Sequence, residues 1–225
     1  QSVTTMQTLN FTKGITGVAV LAKLAHASLR IVDVGVASTL SHPQIIDEKI
    51  RMGTDSIAAG PAMTREQAMA AIEAGIRQAR LAAADHDVLG IGEMGIGNTT
   101  TSSAVLACLV DAEIPQLIGR GAGLSDEGVA RKVQIVREAS EAARKCEDMA
   151  ALLARAGGLD LCAMCGAFLG AAALRKPVVI DGYISAVAAL CAYRLCPQAK
   201  DYMFASHASE EPGYALALGA LGMEA

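Results

Sequence analysis

Apolar residues follow two different spacings along the chain, and these spacings predict which segments are helices and which are strands. Residues 64–84 show the clearest helical spacing: Thr64 to Gln67 form a capping box, and apolar side chains then recur on one face. Residues 126–143 are predicted to form a second long helix, because Ser125 can cap it and its first turn is acidic. Short β-branched runs between such helices predict strands.

The predicted elements alternate between strand and helix. Further helices are predicted at 14–27, 99–110, 147–156, 160–174 and 183–193 and from Pro212 onwards; strands are predicted at 29–35, 88–92, 117–119, 177–181 and 202–206. Residues 38–61 are predicted to form a long irregular connection. This alternation favours an α/β fold with a Rossmann-like parallel sheet and helices on both faces. Ligands of such folds bind at the carboxyl ends of strands, where this chain places Asp33, Glu93, the Arg120 loop, Asp181, Ser206 and His207.

Composition narrows the possible functions. Of the 225 residues 52% are hydrophobic, but only three are Phe, four are Tyr and none is Trp, so the core must consist of closely packed small aliphatic side chains. A net charge of -4 without a basic cluster argues against a nucleic-acid partner. The longest apolar stretch, residues 161–174, is too short to span a membrane. Six cysteines inside apolar runs, with no secretion signal, predict a reduced cytoplasmic protein.

The most informative segment is the glycine-rich loop at residues 92–100, between a predicted strand and a predicted helix. Its glycines, among them Gly95 and Gly97, let the backbone approach a ligand; the following Asn98, Thr99 and Thr100 add polar groups at a helix N-terminus, where anions bind. The alternative is a tight turn with a helix cap.

Glu93 does not suit a phosphate, because two negative charges repel each other. This carboxylate is therefore predicted to face another part of the ligand, where it can accept a proton.

Several other residues have two possible interpretations. Gly121 and Gly123 form either a second anion-binding nest or a turn, and Lys132 either reaches a phosphate or is solvated. Asp181 either accepts a hydrogen bond from a ribose or caps a helix.

Two further patterns are interpreted as structural. Cys162 and Cys165 have a metal-like spacing but no second pair, so core thiols and no metal site are predicted. The pair Ser206-His207 lacks the elbow motif that a nucleophilic serine would have.

Residues 92–100, Gly-Glu-Met-Gly-Ile-Gly-Asn-Thr-Thr, resemble the signature of the nicotinate-nucleotide-dimethylbenzimidazole phosphoribosyltransferases, which prepare the lower ligand of cobalamin. The resemblance extends over nearly the whole chain. Its other matching positions, in chain order, are residues 3–7, Asn10, 14–20, 31–35, 59–63, 121–124, 132–133, 157–160, 179–182 and 206–207.

The resemblance implies transfer of a phosphoribosyl group from nicotinate mononucleotide to 5,6-dimethylbenzimidazole or a related base, giving α-ribazole 5′-phosphate and nicotinate, in a homodimer that needs no cofactor. It also implies the positions of the substrate ligands. The nucleotide would contact Gly95, Gly97, Asn98, Thr99, Thr100, Gly121 and Lys132, the base would contact Gln7 and Met94, and Asp181 and Ser206 would lie near the ribose or phosphate.

The resemblance further implies that residues 1–225 are a single nucleotide-binding core, the large domain of the family, with most of the small helical domain absent. The chain starts at Gln1 and ends before the family's carboxy-terminal glutamate, so it is expected to be a fragment or a truncated member, and Glu93 is the matched acid left for the role of general base. The alternative function is a catalytically impaired domain that binds nucleotide or phosphate.

Overall fold

The computed structural model describes residues 2–120 and 123–224 of the chain as parallel strands flanked by helices. The helices are α1 (Ser2–Thr12), α2 (Gly17–Leu24), α3 (Arg65–Ala83), α4 (Asn98–Leu109), α5 (Ile114–Leu117), α6 (Asp126–Ala143), α7 (Met149–Ala156), α8 (Leu159–Ala173), α9 (Tyr183–Leu195) and α10 (Pro212–Leu221), with a 3₁₀ helix at Pro197–Tyr202. The strands are β1 (Ile31–Asp33), β2 (Ile45–Asp47), β3 (Leu89–Ile91), β4 (Val178–Ile180) and β5 (Met203–Ala205).

The described strands form two parallel sheets. Strand β1 pairs with β2, while β3, β4 and β5 form a three-stranded sheet with β4 in the centre. In the larger sheet Ile91, Ile180 and Ala205 lie side by side at the carboxyl ends of the strands. The residues that follow these three positions therefore emerge together at one edge of the sheet.

Small residues bring the two helices α3 and α8 into very close contact. A side chain at Gly75 would overlap the carbonyl group of Ala163, and one at Gly166 would overlap the carbonyl group of Ile72. The core around this contact is mainly Ala, Leu, Ile and Val, with Phe168 among its few aromatic members. The sequence prediction of closely packed small aliphatic side chains agrees with this core.

The predicted alternation of strands and helices holds for most of the chain. The capping box of α3 is present, and α6 begins and ends at the predicted residues. The predicted strand at 117–119 is wrong: residues 114–117 form α5, because Pro115 fits the start of a helix and Glu113 and Gln116 cap it reciprocally.

Helix α1, strand β2 and the 3₁₀ helix at Pro197–Tyr202 were absent from the sequence prediction. Helix α1 is amphipathic only weakly and buries only Thr8, and β2 is a three-residue strand within the connection predicted to be irregular. Within residues 2–120 and 123–224, no helix combines the length and apolar character that crossing a membrane requires.

Candidate active site

The glycine-rich loop connects β3 to α4 at the carboxyl edge of the larger sheet. Gly97 precedes the helix with a φ of 95°, a left-handed conformation that favours glycine, and α4 starts at Asn98. The first turn of α4 then presents Asn98 and Thr99 to two different groups of side chains. These two groups are called the acidic pole and the cationic pole below.

The acidic pole consists of Glu93, Asn98 and Asp160. The Asn98 amide Nδ2 lies 2.5 Å from Oε2 of Glu93 and 2.7 Å from Oδ2 of Asp160. It therefore donates one of its two N–H groups to each carboxylate. Gly95 makes this close packing possible, since a Cβ atom there would lie 2.9 Å from Asn98 Nδ2 and 3.0 Å from Asp160 Oδ2.

Glu93 holds its proton more tightly than an ordinary glutamate. The residue as a whole is exposed, but protein atoms surround its carboxylate, and this loss of hydration is the main reason why its pKa rises to about 7. The negative charges of Asp160 and, more weakly, Asp181 raise the pKa further, whereas the hydrogen bond from Asn98 opposes the rise. A carboxyl group with a pKa near neutrality can take up or release a proton during a reaction at that pH.

The cationic pole is Lys132 with its partners. This lysine of α6 is only 4% exposed, and its Nζ donates to Thr99 Oγ1 at 3.0 Å and to the Gly119 carbonyl oxygen at 3.4 Å. The alternative of a solvated Lys132 is therefore wrong, because the fold buries the side chain against α4.

Lys132 is a buried cation without an ion-pair partner in the described part of the chain. Burial lowers its pKa, and only the more distant charge of Glu211 opposes this effect. Burying an unpaired charge is costly. An anion bound at Nζ would therefore restore favourable electrostatics, which is the chemistry of a phosphate-binding lysine.

Asp181 and Ser206 follow β4 and β5, the other two strands of the larger sheet. Ser185 fixes the first of them: its hydroxyl donates to the Ile91 carbonyl oxygen at 2.7 Å and accepts from the Asp181 amide at 3.2 Å. Helix α9 begins after Gly182 without a side-chain cap, so Asp181 does not cap it. The hydroxyl of Ser206 donates to the Asp181 carbonyl oxygen at 3.3 Å.

A groove beside the loop brings together the two residues predicted for a base pocket. Gln7 of α1 and Met94 of the loop both line this groove, whose volume is about 450 Å³, and Phe11 and Val18 supply apolar surface. Helix α1 is held over the loop because the Ile96 amide donates to the Thr4 hydroxyl at 3.2 Å.

The remaining predicted ligands are placed as follows. Thr100 is half-buried in the first turn of α4, where its amide donates to the Gly97 carbonyl oxygen at 3.2 Å. Gly121 lies outside the described residues. Gly123 has a φ of 94°, and its amide donates to the Arg120 carbonyl oxygen, as in a turn.

Two other predicted strand-end residues do not follow a strand of the larger sheet. Asp33 ends β1 of the smaller sheet, is 2% exposed and forms an ion pair with Lys49 at 2.7 Å. Arg120 follows α5 and not a strand, and it pairs with exposed Asp126.

The cysteine motif lies in the core. Cys162 and Cys165 are fully buried free thiols on α8, and burial raises the pKa of each well above its usual range. No group of side chains in residues 2–120 and 123–224 has the composition and proximity to hold a metal ion.

Sequence reasoning did not select Asp160, Thr4, Ser185 or Glu211 as site residues. Asp160 follows the pair Gly157-Gly158 at the start of α8, and this double glycine before an acidic first turn was the available signal. Glu211 places Oε2 in a buried position without a hydrogen-bond partner in the described structure.

The model of a family described as phosphoribosyltransferase matches residues 1–225. The chain is similar to the nicotinate-nucleotide–dimethylbenzimidazole phosphoribosyltransferases of Ruminiclostridium cellulolyticum, at 46% identity over 99% of this chain, and of Acetivibrio thermocellus, at 46% identity over 100% of this chain. It spans 64% of the length of each of these curated relatives. The crystal structure of CobT from Thermus thermophilus superposes with a TM-score of 0.95 at 38% identity, covering 100% of this chain and 68% of that chain.

Proposed function

Because the chain belongs to the phosphoribosyltransferase family that its whole length matches, we propose that it transfers a phosphoribosyl group from nicotinate mononucleotide to 5,6-dimethylbenzimidazole or a related base. The products are α-ribazole 5′-phosphate and nicotinate. The names of the relatives, which are about half as long again as this chain, supply the two substrates.

The observation that carries this proposal is that the acidic pole and the cationic pole contact adjacent residues in the first turn of α4. Thr99 contacts the buried Lys132, while the preceding Asn98 contacts Glu93 and Asp160. A phosphoribosyl group has the same polarity. Its 5′-phosphate is a dianion, and its reacting carbon becomes positively charged as the bond to the leaving group breaks.

The cationic pole binds the 5′-phosphate in this proposal. Lys132 Nζ supplies a positive charge whose own hydration is already lost, and the N-terminus of α4 adds the positive end of the helix dipole beside Thr99. Gly97 and Thr100 complete the turn, and Gly121 is proposed as a further ligand of the nucleotide.

The acidic pole faces the reacting carbon. The bond from this carbon to the pyridinium nitrogen breaks, and its electron pair leaves with nicotinate, which needs no acid. One azole nitrogen forms the new bond, and the proton of the second azole nitrogen passes to the Glu93 carboxylate. The negative charges at Glu93 and Asp181 also stabilise the developing positive charge on the ribose.

The base is proposed to bind in the groove lined by Gln7 and Met94. This groove adjoins the loop that contains Glu93, so a flat aromatic base there would lie beside the proton acceptor. Gly95 lets Asn98 and Asp160 pack closely within the acidic pole, and Ser206 with Asp181 is proposed to lie near the ribose.

We also propose that the chain forms the nucleotide-binding core of a homodimeric cytoplasmic enzyme. Helix α2 buries none of its residues, and Val18, Leu21 and Leu24 are 49%, 65% and 73% exposed, which gives an apolar surface that a second copy could cover. All six cysteines are free, as expected in a reducing compartment. Light scattering of the purified chain at several concentrations tests the dimer, and a stable monomer would contradict it.

The experiment is to incubate the purified chain with nicotinate mononucleotide and 5,6-dimethylbenzimidazole and to separate the products by chromatography. We expect nicotinate and α-ribazole 5′-phosphate in equal amounts. Calorimetry with the nucleotide alone is run in parallel on the unaltered chain and on Lys132→Met, and Lys145→Met, which removes an exposed lysine, serves as the control for that variant.

Two other results are possible, and each would contradict the proposed activity. Nucleotide binding without product would support the alternative, a domain that binds nucleotide but does not catalyse the transfer. If the chain shows no binding and forms no product, both the activity and the assignment of Lys132 to the phosphate are refuted.

A further inference from the structure

Asp160 is tied to the proposed reaction site although no substrate atom needs to touch it. It contacts Asn98 Nδ2 at 2.7 Å, and the same nitrogen contacts Glu93 at 2.5 Å. The two carboxylate oxygens are therefore at most about 5 Å apart, a distance at which two negative charges disfavour each other.

The fold holds Asp160 firmly in this place. Its second carboxylate oxygen, Oδ1, accepts a hydrogen bond from the Leu161 amide at 2.9 Å, and the residue lies in the first turn of the fifteen-residue helix α8, where a helix favours negative charge. Glycines border it on two sides, because a Cβ atom at Gly158 or at Gly95 would crowd its carboxylate.

The Asn98 amide has no freedom to point elsewhere while both contacts exist. Its two N–H groups are the donors that a side-chain amide possesses, and each is directed at one carboxylate. Losing the Asp160 acceptor would let this amide rotate, and Glu93 would then lose its side-chain hydrogen bond from Asn98.

We propose that Asp160 is a positioning residue for the Glu93 carboxyl group: through the shared Asn98 amide it fixes the direction in which Glu93 points, and through its charge it favours a proton on Glu93. This inference rests on the proposed function for its catalytic consequence, but its physical content does not need turnover. A carboxylate that is held in one direction, and that loses its proton again near neutral pH, is suited to accept the azole proton.

Few other charged groups act on Glu93. Asp181, which follows β4, is the second acidic residue that faces it, and its influence is weaker than that of Asp160. Helix α1, which lies over the loop, has no charged residue between Ser2 and Thr12. The effect of Asp160 can therefore be separated from that of its surroundings by a single substitution.

The test is a carboxyl NMR titration of protein labelled with ¹³C at the glutamate side chains. The Glu93 signal is assigned by its loss in Glu93→Gln. We expect Asp160→Asn, which keeps the shape and removes the charge, to lower the pKa of Glu93 by about 1. Asp160→Ala also frees the Asn98 amide, whose hydrogen bond lowers the pKa of Glu93, so the pKa should fall less than in Asp160→Asn. Asp85→Asn, which removes an exposed carboxylate elsewhere, should leave it unchanged.

Turnover provides an independent readout. In Asp160→Asn the acidic limb of the kcat profile should move to lower pH by the same amount, while the KM for nicotinate mononucleotide changes less than about twofold because the phosphate contacts remain. If the chain shows no turnover, the proposed function fails but the NMR result still decides this proposal. An unchanged Glu93 titration in both folded Asp160 variants would overturn it.

Discussion

The raised pKa of Glu93 makes a quantitative prediction about the pH dependence of turnover. A base must be deprotonated to accept the azole proton, so activity should follow the ionised fraction of a group whose pKa is about 7. Activity should then be about nine-tenths of its plateau at pH 8, half at pH 7 and about a tenth at pH 6. An ordinary glutamate would be fully ionised over this whole range, and the profile would be flat.

The assay is the initial rate of nicotinate release between pH 5.5 and 8.5, with Glu93→Gln as the reference protein. The azole substrate titrates identically in both proteins, so the ratio of the two profiles isolates Glu93. We expect the variant to be about 100- to 10,000-fold slower, the usual contribution of a general base, and to lack the limb centred near pH 7. A limb that persists in Glu93→Gln, or a rate that does not fall, would refute the assignment of Glu93 as the base.

Three further predictions concern nucleotide binding and the stability of the fold. Lys132→Met should weaken the binding of nicotinate mononucleotide by about 10- to 100-fold in calorimetry, because a charge-assisted contact to phosphate is lost; unchanged affinity would place the phosphate elsewhere. Gly166→Ala should lower the free energy of unfolding in urea by about 1–3 kcal/mol, since its methyl group would overlap the Ile72 carbonyl, whereas Gly219→Ala, which meets open space in α10, should not be destabilising. Asp33→Asn should cost about 3 kcal/mol and lower the melting temperature, because it leaves a partly buried lysine unpaired; an unaltered melting curve would show that this ion pair is dispensable.

The sequence predicted those parts of the fold that local chemistry determines. The capping box at Thr64 and the acidic first turn after Ser125 are interactions between near neighbours, and α3 and α6 begin where these signals place them. Strand β2 could not be predicted in the same way, because its three residues are extended only through pairing with β1. The predicted strand at 117–119 is wrong because an apolar run of three residues fits a short helix equally well.

The candidate site was predicted less completely than the fold. The glycine loop can be recognised from its composition, and the sequence therefore indicated its residues Glu93 and Asn98 as site residues. The partnership of Asn98 with Asp160 joins residues 62 positions apart and depends on how α8 packs against the loop. The burial of Lys132 likewise depends on the packing of α6 against α4, which no local pattern in α6 records.

The most direct test of the central claim is a crystal structure of the chain with nicotinate mononucleotide and 5,6-dimethylbenzimidazole bound. The account predicts the 5′-phosphate within hydrogen-bond distance of Lys132 Nζ, and an azole nitrogen about 3 Å from a Glu93 carboxylate oxygen. A nucleotide bound with its phosphate away from Lys132, or a base whose ring nitrogens both lie beyond reach of Glu93, would contradict it.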